Sequence, residues 1–229
     1  MTRQLPLGLQ LKAPTSLDDF VYGDDSPLIE LLQQQRQPQG EMLIYLHGEP
    51  GSGRTHLLLG QCTAAQQQGL QIAYLPCGEL TELAPQMLEG LEHLDLVAID
   101  DVDLLAGQAE WETALFNLFN RARDAGCRLL ISATGAAASL PFMLPDLRSR
   151  LGWGITYRLR PLSDVQRRNL LQNLARRRGL EMPDDVARYL VERHSRDTRS
   201  LCLLIERLDR DSLAEQRRLS IPFVRTRLD

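Results

Sequence analysis

Apolar and polar residues follow two different periods over the first 160 residues. Short, mostly apolar runs predict five buried strands, over residues 42–46, 71–75, 94–100, 127–133 and 155–159. Segments with helical spacing predict helices between them, over residues 26–37, 56–68, 80–89 and 109–124, with a short arginine-containing turn at 145–151. Because strands alternate with helices of roughly 10–15 residues, the pattern predicts an α/β fold with a parallel sheet covered on both faces.

After Pro161 the pattern changes to helices only. Ser163 is a typical N-cap residue, and Gly179 is a typical residue just beyond a helix end. Four helices are expected, over residues 163–178, 183–194 and 198–215 and from residue 220 onward. Four consecutive helices after an α/β sheet predict a second, smaller, all-helical domain.

The charge distribution agrees with this division. The net charge of the whole chain is −4, but residues 1–159 carry 10 basic and 19 acidic side chains, whereas residues 160–229 carry 16 basic and 11 acidic ones. The change from net negative to net positive indicates a domain boundary near residue 160.

The composition is typical of a soluble globular protein, with 43% hydrophobic and 24% charged residues. No apolar run approaches the roughly 20 residues of a membrane span, and the first residues lack the apolar core of a signal peptide. The 4 cysteines form no C-x-x-C pair, and the 4 histidines have no metal-ligand spacing. We therefore expect a cytoplasmic protein without a structural metal.

A phosphate-binding loop lies between the first predicted strand and the following helix. Residues 48–55, GEPGSGRT, match the pattern G-x-x-x-x-G-K-[ST], except that Arg54 replaces the lysine. Backbone N–H groups at the start of the helix would face a phosphate, and Thr55 is placed to reach a magnesium ion. An alternative explanation of Arg54 is the general bias of the chain, in which Lys12 is the only lysine among 26 basic residues.

A second nucleotide signature follows about 45 residues later. The apolar residues 96–99 predict a buried strand, and Asp100 and Asp101 emerge at its carboxyl end, where parallel sheets bind ligands. Asp100 would hold magnesium, directly or through water, and Asp101 would polarise an attacking water. The alternative is a buried strand that ends in two solvated acids, but the upstream loop favours the nucleotide site.

Three further positions carry weaker signals. Ser132 and Thr134 end the strand at 127–133, where a polar side chain could touch a terminal phosphate; equally, the strand simply ends in small polar residues. Arg148 and Arg150 on the segment at 145–151 are either surface charges or include an arginine that stabilises transition-state charge in a neighbouring subunit. Arg199 near the start of a later helix either reaches the phosphates or lies on the surface.

Together these motifs resemble the AAA+ proteins of the DnaA initiator clade, and closely the Hda family, the regulatory inactivators of DnaA. The resemblance covers about residues 4–229. Its specific motifs are FVYG at 20–23, the arginine-bearing loop, IDD at 99–101, SRLGWG at 149–154, RLRPLS at 158–163 and IPFV at 221–224. The implied fold is an AAA+ P-loop base over residues 16–160 and a helical lid over residues 161–229, preceded by an extended tail at 1–15.

The resemblance also implies roles for individual residues. The tail would bind the β sliding clamp of DNA polymerase III, through Gln4, Leu5, Leu7 and Leu9. Residues that would hold ADP or another nucleoside diphosphate, with Mg²⁺, are Val21 at the adenine, Gly51, Ser52, Gly53, Arg54, Thr55 and His56 at the phosphates, and Arg199 at the β-phosphate. Arg150 would be the finger directed at ATP bound to DnaA. One departure is Thr134, where the family usually has aspartate, which puts in doubt a role of this strand end in γ-phosphate sensing.

The leading hypothesis is a negative regulator of replication initiation that stimulates hydrolysis in DnaA and has little or no ATPase activity of its own. It would contact DNA only through the clamp and thereby associate with the nucleoid, without membrane contact; a homo-oligomer is left open. The alternative is an autonomous DnaA-like or helicase-loader ATPase acting on DNA. Against it, the sequence carries no helix-turn-helix module after the lid and has a negative net charge. A P-loop kinase is disfavoured because no acceptor pocket is readable.

Overall fold

Five parallel strands form the centre of the first part of the chain. A computed structural model describes residues 17, 26–80, 83–193, 198–215 and 218–228, without the side chains of residues 26, 198, 199, 202 and 228. The strands are β1 (Leu43–His47), β2 (Ile72–Pro76), β3 (Leu96–Asp100), β4 (Arg128–Ala133) and β5 (Ile155–Arg158). They are hydrogen-bonded in the order β2-β3-β4-β1-β5, and every pair is parallel. The predicted parallel α/β sheet is confirmed.

Helices connect these strands. They are α1 (Ser26–Gln35), α2 (Arg54–Gln67), α3 (Cys77–Leu80), α4 (Ala109–Ala125) and α5 (Pro145–Leu151). Short 3₁₀ turns cover Pro85–Leu88, Leu91–His93, Val102–Leu105 and Ala137–Ser139. The chain divides into two compact units, of which the first contains residues 26–49 and 54–159, and the second contains residues 160–229 together with Pro50–Gly53.

Two local predictions in the first unit need correction. The single helix expected over residues 80–89 does not form; α3 ends at Leu80, and a separate 3₁₀ turn begins at Pro85. Proline has no amide hydrogen to donate inside a helix, but it is tolerated in the first turn, where it stands here. The segment at 145–151, expected to be a short turn, is the helix α5, with Pro145 in its first turn and Gly152 at its C-cap.

The parallel sheet places the predicted site residues along one edge. All five residues of β3 are buried, which explains why the run at 96–100 is almost continuously apolar. In the register of the sheet, Pro76 pairs with Asp100 and His47 pairs with Ala133. The carboxyl ends of β1, β2, β3 and β4 therefore lie at the same edge, which is where ligands bind in this fold class.

The second unit contains four helices, α6 (Asp164–Arg177), α7 (Asp184–Arg193), α8 (Thr198–Glu215) and α9 (Ile221–Leu228). They enclose a core of their own that includes Leu171, Leu190, Ile205 and Val224. Ser163 caps α6 as predicted: its Oγ accepts from the Gln166 amide at 3.3 Å, and its own amide donates to Gln166 Oε1 at 2.7 Å. No helix among the described residues has the length and apolar character needed to cross a bilayer.

Candidate nucleotide site and arginine helix

The phosphate-binding loop has the strand–loop–helix context that its sequence predicts. The loop follows β1, and α2 begins at Arg54. Gly51 and Gly53 have φ angles of 80° and 95°, in the left-handed region that favours glycine. Ser52 is 3% exposed, and its buried Oγ has no hydrogen-bond partner among the described residues. A buried hydroxyl without a partner beside a helix N-terminus fits a phosphate oxygen, so the residues present suit a nucleotide.

Arg54 forms an ion pair with Asp101, the residue directly after β3. Its Nη2 lies 3.0 Å from Asp101 Oδ1, and the arginine is only 8% exposed. The other arm of the guanidinium, Nη1, is buried and has no hydrogen-bond partner in the described part of the chain. The fork therefore has one arm on Asp101 and a second arm available for another acceptor.

Asp101 has an unusual backbone and an unusual charge environment. Its φ angle of 56° is the only positive φ among the described residues other than glycine. Burial raises the pKa of its carboxyl above the ordinary value, the nearby Asp100 charge raises it further, and the Arg54 charge lowers it in part. Both acids are thus close enough to affect each other, and Arg54 is the cation that compensates them.

Asp100 is held by two hydroxyl groups. It is 4% exposed; its Oδ1 accepts from Ser132 Oγ at 2.5 Å, and its Oδ2 accepts from Tyr74 Oη at 2.8 Å. Ser132 Oγ in turn accepts from the Asp101 amide at 2.8 Å. Burial, together with the Asp100 charge, raises the pKa of Tyr74, which keeps this hydroxyl protonated and donating. Sequence reasoning missed Tyr74, which the register of β2 beside β3 brings to this edge.

The oxygen ligands at this edge fit magnesium better than a softer metal. Asp100 supplies a carboxylate, and Thr55 is an exposed hydroxyl at the start of α2. Among the described residues, no group of three or more His, Cys, Asp or Glu side chains is clustered so as to hold a metal ion. Magnesium commonly uses one or two protein oxygens together with phosphate oxygens and waters, which is compatible with such a sparse set.

Thr134 is engaged by an acid that sequence reasoning did not single out. Its amide and its Oγ1 donate to Asp103 Oδ1 and Oδ2, at 3.2 and 2.5 Å. Asp103 lies in the 3₁₀ turn directly after the Asp100–Asp101 pair. Ser132 and Thr134, both considered for phosphate contact, therefore make their described side-chain hydrogen bonds to acids of this edge.

Arg150 lies near the end of α5 against aromatic side chains. Its guanidinium carbon is 3.7 Å from the centre of the Trp153 ring and 5.7 Å from that of Phe116. The arginine is half-buried, and its Nε is buried without a hydrogen-bond partner. No carboxylate among the described residues pairs with it. Arg148, on the same helix, is also half-buried.

Glu112 on α4 holds the segment that leads into α5. It is 1% exposed, and its carboxylate accepts from the amides of Gly107 at 2.7 Å, Met143 at 3.1 Å and Leu144 at 2.7 Å. The sequence carries a signal for it: a glutamate on the apolar face of a helix, next to buried Trp111 and one turn before buried Leu115. Such an acid needs buried donors.

Several predicted site residues lie outside this description. Gln4, Leu5, Leu7 and Leu9, expected to bind the clamp, and Val21, expected to line the adenine, are outside the described residues, as is the side chain of Arg199. His56, in the first turn of α2, is half-buried. The predicted residues that the structure brings together are Arg54, Asp100, Asp101 and Ser132.

Two family models together match most of the chain. A model of the bacterial DnaA ATPase domain matches residues 11–158, and a model of the Hda lid domain matches residues 164–228. Similar folds occur in solved structures. Domain III of the Thermotoga maritima replication initiation protein DnaA superposes with a TM-score of 0.78 at 23% identity, over 91% of this chain and 93% of that one.

Two further structures share the fold. AMPPCP-bound DnaA from Aquifex aeolicus gives a TM-score of 0.75 at 20% identity, over 90% of this chain and 71% of that one. The Holliday junction branch migration motor RuvB of Thermotoga maritima gives 0.70 at 20% identity, over 95% and 72%. A DnaA-type ATPase domain followed by an Hda lid, on a five-stranded parallel sheet with the predicted phosphate loop, identifies the chain as a DnaA-related regulator: it belongs to the Hda-type AAA+ proteins of the DnaA clade.

Proposed function

We propose that this protein inactivates the replication initiator DnaA by stimulating hydrolysis of DnaA-bound ATP. The observation that carries the proposal is Arg150, a half-buried guanidinium on α5 that no carboxylate of the described residues neutralises. Such a cation is suited to the charge that develops during phosphoryl transfer in another subunit's site. An arginine supplied in trans contributes roughly 10³–10⁵ in rate in other phosphoryl-transfer systems.

The chain's own site would hold a nucleotide rather than turn it over. Gly51, Ser52 and Gly53, with the free arm of Arg54, would bind the phosphates of ADP or another nucleoside diphosphate, together with His56 and Arg199 and with Val21 at the adenine. Thr55 and Asp100 would bind Mg²⁺. The Aquifex DnaA carries bound AMPPCP, which supports nucleotide use by this fold. Asp101, which sequence reasoning assigned to water activation, is paired with Arg54, and this supports weak or absent intrinsic hydrolysis.

The N-terminal tail would bring the protein to DNA. Gln4, Leu5, Leu7 and Leu9 would dock on the β sliding clamp, where the leucines of an extended segment fill an apolar groove and Gln4 supplies a polar anchor. In this proposal residues 1–15 are the clamp tail, 16–160 the nucleotide-binding base and 161–229 the lid. The protein would be cytoplasmic and would associate with the nucleoid through the clamp, limiting re-initiation there.

The proposal is tested with variants of the two arginines of α5. DnaA-ATP hydrolysis is measured with clamp-loaded DNA and wild-type protein, Arg150→Ala or Arg148→Ala. Arg150→Ala is expected to abolish the stimulation while ADP binding and clamp binding stay at wild-type levels. Arg148→Ala, a matched change two residues earlier on the same helix, is expected to keep most of it. Full stimulation by Arg150→Ala, or loss of clamp or ADP binding in that variant, would contradict the proposed role.

The alternative function, an autonomous ATPase acting on DNA, rests on the retained pair Asp100–Asp101 at the sheet edge. It predicts ATP turnover by the isolated protein, accelerated by DNA without DnaA or clamp. Steady-state turnover of purified protein with and without DNA separates the two functions, because the regulator is expected to be inactive in both conditions.

A further inference from the structure

The end of α5 fixes Trp153 relative to Arg150. At the C-terminus of the helix, the Gly152 amide donates to the Arg148 and Ser149 carbonyls, and the Trp153 amide donates to the Arg150 carbonyl at 3.1 Å. With a distance of 3.7 Å between the guanidinium carbon and the ring centre, the cation lies against the face of the indole. Cation–π attraction is strongest for tryptophan among the aromatic side chains.

The indole itself is supported from the core. Phe119 on α4 is 2% exposed and meets the Trp153 ring edge to face, with ring centres 6.1 Å apart and an angle of 81° between the planes. Phe116, one turn earlier on α4, lies 5.7 Å from the guanidinium carbon of Arg150. Trp153 remains 54% exposed. Thus one part of the ring rests on the core while much of its surface stays accessible.

An aromatic partner has a different consequence for Arg150 from an acidic one. A carboxylate would neutralise the cation and occupy its N–H donors, and an incoming phosphate would have to displace it. An indole face restricts the long side chain, yet it leaves the positive charge uncompensated and the donors free of an anion. A second arginine near the ring, Arg123 at 5.8 Å, differs in this respect because it pairs with Asp124 at 3.1 Å.

We propose that Trp153 is a positioning residue that holds Arg150 ready for the triphosphate of the partner. The inference rests on the proposed function, since it assumes that Arg150 acts in trans, but it assigns a separate task to a residue that touches no nucleotide. By restricting the arginine before the partner arrives, Trp153 raises the rate of the hydrolysis step and does not contribute to binding of DnaA.

Kinetics separate this role from a structural one. Stimulated hydrolysis is measured over a range of DnaA-ATP concentrations for wild type, Trp153→Phe, Trp153→Leu, Arg150→Ala and the Trp153→Leu/Arg150→Ala double variant. Trp153→Leu is expected to lower kcat roughly tenfold at unchanged KM, whereas Trp153→Phe, which keeps an aromatic face, stays within about threefold of wild type. The double variant is expected to equal Arg150→Ala. An unchanged kcat or a raised KM in Trp153→Leu overturns the positioning role.

A spectroscopic measurement on the protein alone gives an independent readout. In a ¹⁵N spectrum of the arginine side chains, the Nε–H signal of Arg150, assigned by its loss in Arg150→Lys, is expected to be displaced by the Trp153 ring current. In Trp153→Leu it should move to the range of exposed arginines, while in Arg123→Gln it stays in place. An unshifted signal in wild type overturns the proposal. Unchanged stimulation by Arg150→Ala together with a displaced signal instead refutes the finger itself.

Discussion

Arg54 Nη2 and Asp101 Oδ1 lie 3.0 Å apart, so the basic residue of the phosphate loop is ion-paired with the acid that the sequence predicts to polarise an attacking water. An arginine can make this contact and still offer a second donor, because its guanidinium is a planar fork. The second arm, Nη1, is buried without a partner among the described residues. A lysine ammonium in the same place is a compact point charge, so the phosphate and the Asp101 carboxylate would compete for it.

The first prediction concerns this pair. Arg54→Lys is expected to retain ADP binding and to increase intrinsic ATP hydrolysis at least about tenfold, because release of Asp101 restores part of the roughly 10²–10⁴ that a positioned general base contributes. Single-turnover hydrolysis by the isolated protein measures it, with equilibrium ADP titration as the companion assay.

The control for this prediction removes the released acid. Arg54→Lys/Asp101→Asn should return to the low rate of wild type, since the acid responsible for the gain is gone. If Arg54→Lys stays as slow as wild type although it binds ADP normally, the pairing with Asp101 is not what limits hydrolysis.

What the sequence predicted well was decided within single elements. The run at 96–99 is apolar throughout because β3 is buried on both faces, so the position of Asp100 and Asp101 at its end followed from the pattern alone. Ser163 and Gln166 formed their capping box because both residues lie in one helical turn.

What it missed depends on contacts between elements. Tyr74 is hydrogen-bonded to Asp100, 26 residues away in the sequence, and Glu112 is hydrogen-bonded to Met143, 31 residues away. Neither contact can be predicted from the two-residue period of strands or the 3.6-residue period of helices. The pairing of strands β2 and β3 decides the first contact, and the route of the chain from β4 to α5 decides the second. The absence of a single helix over residues 80–89 has a local cause instead, since Pro85 has no amide hydrogen to donate inside a helix.

The second prediction compares the hydroxyls of two tyrosines, the half-buried Tyr74 and the buried Tyr45. Tyr74→Phe removes a donor to the Asp100 carboxylate and is expected to lower the free energy of unfolding by about 1.5–3 kcal/mol, as for hydrogen bonds to charged groups. Tyr45→Phe is the matched control, because its hydroxyl donates at the same 2.8 Å to the neutral carbonyl of Gly135. It is expected to cost about 0.5–1.5 kcal/mol.

Urea unfolding of both variants measures this difference. Since Tyr74 also orients Asp100, Tyr74→Phe should in addition weaken the Mg²⁺ dependence of nucleotide binding, which Tyr45→Phe leaves alone. Equal losses of stability in the two variants would mean that the charge on Asp100 adds nothing to the hydrogen bond.

The third prediction concerns Glu112, which holds the segment leading into α5. Glu112→Ala removes the buried carboxylate that accepts from three amides and is expected to destabilise the protein by at least about 3 kcal/mol, given roughly 1.5–3 kcal/mol for each hydrogen bond to a charged group. Glu112→Gln keeps one acceptor oxygen and is expected to lose about 1–3 kcal/mol.

Glu110→Gln is the control, since Glu110 lies in the same first turn of α4 but is exposed. In urea unfolding, the free energy of unfolding of Glu110→Gln should differ from that of wild type by less than about 0.5 kcal/mol. A Glu112→Ala protein as stable as the control would show that other acceptors, such as water, reach these amides.

The last prediction concerns the pH dependence of the cysteines. Cys62, Cys77 and Cys127 are buried, and burial raises the pKa of Cys127 to about 11 and that of Cys62 to about 12, above the ordinary 9.0. At pH 8 the Cys127 thiol of the folded protein therefore stays almost entirely protonated, and thiolate is the reactive form. In a Cys202→Ser background, no thiol should react with a disulfide reagent at pH 8 until the protein is unfolded, when three react.

Because the folded thiols hold their protons more tightly than the unfolded ones, their contribution to stability is complete below pH 9 and is lost as the pH rises toward 11–12. The urea midpoint of wild type should therefore fall between pH 8 and pH 10.5 more than that of Cys127→Ala. Rapid labelling of the folded Cys202→Ser protein at pH 8 would contradict the burial on which the prediction rests.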